Sequence, residues 1–148
     1  RSRADERYGR RFLAKAVDCL LEHDFDGIAE LYAQTIDDLL KGRVPIEDLA
    51  RRERVTENTF QSEQKKRSAK VAEGVPVGEY VMVYEKADGS LGRLSEYAGD
   101  ANTKYYMDKL YKFARRLEEA FRGDFSRYIP KPTAQGLPKQ TQTTLDLF

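Results

Sequence analysis

The sequence predicts an α+β fold, mostly helical: a helix bundle carrying a small antiparallel β-hairpin, followed by a flexible C-terminal tail. Three observations predict it. Apolar residues recur at helical spacing along three separate stretches. One run, Val77 to Tyr84, is dense in strand-formers and is followed by an Asp88-Gly89 turn signal. Residues 124 to 141 lose all periodicity and hold Pro130, Pro132, Pro138 and Gly136.

The first helix is expected over residues 8 to 23, with Phe12, Leu13, Ala16, Val17, Leu20 and Leu21 as its apolar stripe. Asp24-Phe25-Asp26-Gly27 interrupts it. A second stripe follows at Ile28, Leu31, Tyr32, Ile36, Leu39 and Leu40, with Gly42 where a helix cap sits. So short a break predicts an antiparallel helix pair. Pro45 stands near the first position of a short helix through Leu49. A polar helix is expected from Gln61 to Glu73, closed by Gly74. The strand run ends at Tyr84 and returns over Leu91 to Leu94; a hairpin alone is unstable and must rest on the helices. The third helix carries Tyr106, Leu110, Phe113, Leu117 and Phe121, with Asn102 or Thr103 as its cap. Residues 1 to 123 then read as one folded domain and 124 to 148 as a tail.

Composition narrows the function. Charged residues make up 34% of the chain but the net charge is only +1, so nucleic-acid binding would need a local patch. A single cysteine, Cys19, excludes a disulfide framework and a cysteine-based metal cluster. No apolar run approaches a membrane span, and a reducing cytoplasmic setting is expected. The chain begins at Arg1 without a methionine and reads as a fragment.

Asp24-Phe25-Asp26 is the one Asp-x-Asp that suggests magnesium, but no phosphate-binding loop is near in sequence. Its favoured reading is a helix cap with Phe25 stapled into the core. His23, the only histidine, has no nucleophile partner in any motif and reads as a helix-end residue. Arg51, Arg52, Arg54, Lys65, Lys66, Arg67 and Lys70 give a local surplus of +4 over residues 51 to 70. Such density either neutralises successive phosphates or forms a solvated helix face. At the end, Leu145, Leu147 and Phe148 crowd an otherwise polar tail, and exposed apolar anchors on a tether imply a partner with a pocket.

Several stretches, in order, resemble the thumb of a family-B DNA polymerase. They are residues 31 to 49, with the Glu47-Asp48-Leu49 segment; the basic strand Arg51-Arg52-Glu53-Arg54-Val55; Val75 to Tyr84; and Tyr105-Tyr106-Met107-Asp108-Lys109-Leu110. The chain departs from the family at Glu63 to Ala69, where a Pro-His-Val is frequent and neither proline nor histidine occurs here. The tail segment Thr144-Leu145-Asp146-Leu147-Phe148 resembles the clamp-binding peptide of bacterial polymerases, with threonine in place of the leading glutamine; through Gln142, Leu145 and Phe148 it also resembles the looser ring-clamp pattern of archaea and eukaryotes, and the bacterial form is favoured.

The resemblance implies a nucleotidyltransferase whose catalytic palm and two magnesium ions lie on an upstream part of the parent chain, so no catalytic residue, metal or cofactor is expected in this one. It implies primer–template duplex DNA and a sliding clamp as partners, no membrane, a monomeric fragment and a nucleoid-associated setting. It also implies that the seven basic residues contact backbone phosphates. Without the resemblance, a free-standing clamp adaptor or a helical interaction domain fits the same features.

Overall fold

The computed structural model describes residues 5–61 and 66–138. They form an α+β fold, mostly helical, with one small antiparallel sheet. The chain expected as one domain makes two compact units, one built from residues 5–8 and 44–102, the other from 9–43 and 103–138.

In the helical unit, α1 (Arg7–Leu21) and α2 (Phe25–Leu40) are joined by three residues that serve both helices. His23 takes a left-handed φ of 56°. Its N–H donates to the Leu20 carbonyl, and the Asp24 N–H donates to that of Cys19. This is a Schellman closure, and His23 holds the position that glycine usually takes. Asp24 then caps α2: its Oδ1 accepts the Gly27 N–H at 2.8 Å. The far end of α2 repeats the closure with Gly42, at φ 68°, in the left-handed position.

Helix α2 buries Ile28, Tyr32, Ile36 and Leu39, one stripe at helical spacing. It packs against α6 (Thr103–Arg115), which buries Tyr106, Met107, Leu110, Phe113 and Ala114. Gly9 of α1 lies against the Phe113 ring so closely that a Cβ there would stand 2.2 Å from it. The α1 stripe is narrower than expected. Phe12 and Ala16 are buried, but Val17 and Leu21 are exposed. The third helical stripe also divides: α6 stops at Arg115, and a 3-10 turn (Glu118–Phe121) brings Phe121 inward.

Residues 124–138, expected to begin the flexible tail, instead pack on this unit. α7 (Phe125–Tyr128) completes an aromatic cluster: the Phe121 ring centre lies 5.1 Å from that of Phe25, 5.3 Å from Phe125 and 5.7 Å from Tyr128, and the Phe25 ring centre lies 5.9 Å from that of Tyr128. Ile129 is fully buried. The Tyr32 hydroxyl donates to the Pro130 carbonyl at 2.8 Å, and Gly136 sits against Leu40 and Ile36. Pro130 follows the end of α7 without releasing the chain, because Ile129 beside it is buried.

The other unit holds α3 (Ile46–Leu49), β1 (Arg51–Arg54), α4 (Glu57–Gln61), α5 (Lys66–Val71), β2 (Tyr80–Glu85) and β3 (Leu91–Arg93). The expected hairpin is β2–β3, turned through Asp88 and Gly89. The Asp88 carboxylate accepts from the Ser90 N–H and hydroxyl. It gains β1 as a third, antiparallel strand, so β2 is central. A charged strand at a sheet edge resists further pairing. Val55, Val71, Ala72, Val81, Val83 and Leu91 form the core between α5 and the sheet. The expected polar helix is seen as α4 and α5, and Gly74 ends it at φ 82°.

Candidate nucleic-acid interface

Strand alternation divides the basic cluster. In β1 the odd positions, Arg51 and Glu53, are half-buried, and the even positions, Arg52 and Arg54, are exposed. The register pairs Arg51 with Val83 and Glu53 with Val81 on the inner face. It pairs Arg52 with Met82 and Arg54 with Tyr80 on the outer face.

The inner face neutralises its cations. Glu85, 4% exposed, receives Arg51 Nη1 at 3.2 Å. It also receives Arg67 from α5 in a two-pronged pair, Nη1 to Oε1 at 3.0 Å and Nη2 to Oε2 at 3.1 Å. Such bidentate pairs are the stronger kind of ion pair. Arg67 donates further to the Gly89 carbonyl at 2.9 Å, so it ties α5 to the hairpin turn. Glu53 lies 3.7 Å from Arg51 and accepts the Ser68 hydroxyl at 3.2 Å. Arg93 donates to the carbonyls of Val71, at 2.6 Å, and of Glu73.

The outer face keeps its charge. The Arg52 guanidinium lies 4.5 Å from the Tyr80 ring centre and that of Arg54 lies 5.9 Å from it. Both distances are within cation–π range. No carboxylate among the described residues pairs with either arginine. Lys66 and Lys70 are exposed on α5. The seven basic residues therefore do not form one equivalent set: Arg51 and Arg67 are committed to Glu85, while Arg52 and Arg54 stand open. Lys65 lies outside the described residues, as do the six tail positions Gln142, Thr144, Leu145, Asp146, Leu147 and Phe148.

Two participants went unnoticed in the sequence. Glu85 decides which arginines are available, and Tyr80 organises the two that are. The signal for both was the alternation in Tyr80-Val81-Met82-Val83-Tyr84-Glu85, which places Tyr80 and Glu85 on opposite faces.

The remaining chemical candidates are structural. Asp24 spends its carboxylate on the α2 cap, and among the described residues no group of three or more His, Cys, Asp or Glu is gathered where it could hold a metal ion. Cys19 is half-buried; burial and the carboxylates of Asp24, Asp18 and Glu22 push its thiol up, away from the reactive thiolate. No described helix is long and apolar enough to cross a membrane. Neither a family model nor a curated protein matches this chain.

Proposed function

We propose that this chain is the thumb region of a family-B DNA polymerase, that it grips primer–template duplex through backbone phosphates, and that its tail tethers the parent enzyme to a sliding clamp. The single observation that carries the DNA half is the pair Arg52 and Arg54: adjacent on one face, exposed, and without a carboxylate partner among the described residues. Lys66 and Lys70 extend the same positive region in sequence. Contacts to phosphate carry no sequence information, which suits an enzyme that must accept any template. Arg51 and Arg67 act indirectly, by fixing β1 and α5 to Glu85.

On this reading the palm of the parent enzyme supplies the metal-assisted chemistry, and this chain supplies position. The tail adds effective concentration: tethering to a ring on DNA keeps the primer end within reach without a new catalytic group. Leu147 and Phe148 are the proposed pocket anchors, with Leu145 beside them.

Duplex binding measured against salt tests the first half. Each phosphate contact contributes about 0.9 to the slope of log K against log salt. The double variant Arg52→Ala, Arg54→Ala is expected to lower the slope by roughly 2. An unchanged slope removes the assignment. For the second half, a chain lacking residues 144 to 148 is expected to lose binding to a bacterial sliding clamp, and undiminished binding refutes it.

A further inference from the structure

We propose that the outer face of the sheet, with Tyr80 flanked by Arg52 and Arg54 and with Met82 beside them, is a stacking platform for unpaired nucleotides of a single strand. The inference deepens the nucleic-acid reading of the same face and rests on it. Tyr80 is 47% exposed and Met82 37%, and the Arg52 and Arg54 guanidinium groups lie over the Tyr80 ring, so a part-exposed aromatic ring, a thioether and two cations share this face. The exposed strand positions on this face, Arg52, Arg54, Tyr80 and Met82, include no carboxylate; Tyr84, the next position on it, is buried and donates to Asp100.

A surface that touched only duplex phosphates would use Tyr80 to hold the two arginines but would gain nothing from the exposure of its ring and of Met82, because the bases of a duplex keep their faces stacked inside the helix. An unpaired base offers a flat π-face and its own phosphate together. Aromatic rings and guanidinium planes are both stacking surfaces for such bases, and arginine adds attraction to the backbone. The two guanidinium groups against the Tyr80 ring combine these functions at one site.

The test uses the full chain and two end-labelled strands of equal length, oligo-dT and an all-abasic strand with the same phosphates, followed by fluorescence anisotropy. The unaltered chain is expected to bind oligo-dT roughly tenfold more tightly than the abasic strand. Tyr80→Ala is expected to abolish that preference, and Tyr80→Phe, which keeps the ring, to retain it. Circular dichroism establishes that each variant is folded, and if Tyr80→Ala does not fold, Tyr80→Leu, which keeps apolar bulk without the ring, takes its place and is expected to lose the preference. Equal binding of the two strands by the unaltered chain overturns the platform and leaves the phosphate reading standing. Failure to bind either strand or duplex overturns both. Concentration-dependent self-association lost in Tyr80→Ala, with no preference for bases, assigns the face to a second copy of this chain and also overturns the proposal.

Discussion

Arg67 reaches from α5 to Glu85 in a two-pronged ion pair behind the sheet, at 3.0 and 3.1 Å, and Arg51 approaches the same carboxylate at 3.2 Å. One buried acid thus holds two cations from different elements. The Arg67 side chain is 49% exposed, and solvent screens its share; that of Arg51 is 21% exposed. Arg67→Ala is expected to cost about 1 kcal/mol of stability. Glu85→Ala removes the acceptor of both and is expected to cost about 2 kcal/mol. Urea unfolding measures both. The same Arg67→Ala protein is expected to keep the salt slope of duplex binding. A slope lowered by about 1 shows instead that Arg67 leaves Glu85 for a phosphate.

Tyr84 gives the sheet a pH limit on the alkaline side. Its ring is buried, and its hydroxyl donates to Asp100 Oδ1 at 2.5 Å. Burial first, then the hydrogen bond and charge of Asp100, push its pKa up to about 12. The folded value lies above the unfolded value of about 10, so the fold favours the neutral phenol. Its stability contribution is complete below about pH 10 and is lost as pH rises through about 12, amounting to roughly 2 kcal/mol. Asp100 behaves in the opposite sense. The Tyr84 hydrogen bond is the largest influence holding its carboxyl below the ordinary range, so its contribution is lost on the acid side. Thermal melts across pH are expected to show the alkaline decline shrink in Tyr84→Phe. A decline of the same size in that variant refutes the assignment.

His23 is a residue in a glycine's place. It adopts φ 56° to close α1, where a β-carbon costs about 1 kcal/mol. His23→Gly is therefore expected to raise stability by up to about 1 kcal/mol, read as a higher urea midpoint at unchanged slope. A lower midpoint means that the imidazole makes a contribution greater than the strain.

The helices were legible because burial of one face leaves a period, and α2 shows it at Ile28, Tyr32, Ile36 and Leu39. The caps were legible too: Gly42 and Asp24 stand where local chemistry alone requires them. The candidate site was legible only as composition. Counting Arg51 to Lys70 as one cluster overlooks alternation, which sends Arg51 inward to Glu85 and Arg52 outward to Tyr80. Glu85 lies 34 residues from Arg51 in sequence, so no local pattern joins them. The division into two units was hidden for a related reason, since each unit is assembled from separate stretches of chain.

Residues 124–138 show the opposite error, in which local signals overstate freedom. Prolines and polar residues there resemble a linker, yet Phe125 and Ile129 carry the apolar surface that matters. Ile129 is 0% exposed, and the next residue, Pro130, accepts the Tyr32 hydroxyl. A tether position tolerates alanine with no change, whereas a closed core position loses transfer energy and gains a cavity. Ile129→Ala is expected to cost about 2 to 4 kcal/mol. Ala134→Ser, at an exposed position in the following turn, is expected to stay within about 0.5 kcal/mol. Urea unfolding of the two variants compares them directly. Equal midpoints would return the segment to a linker and remove α7 from the core.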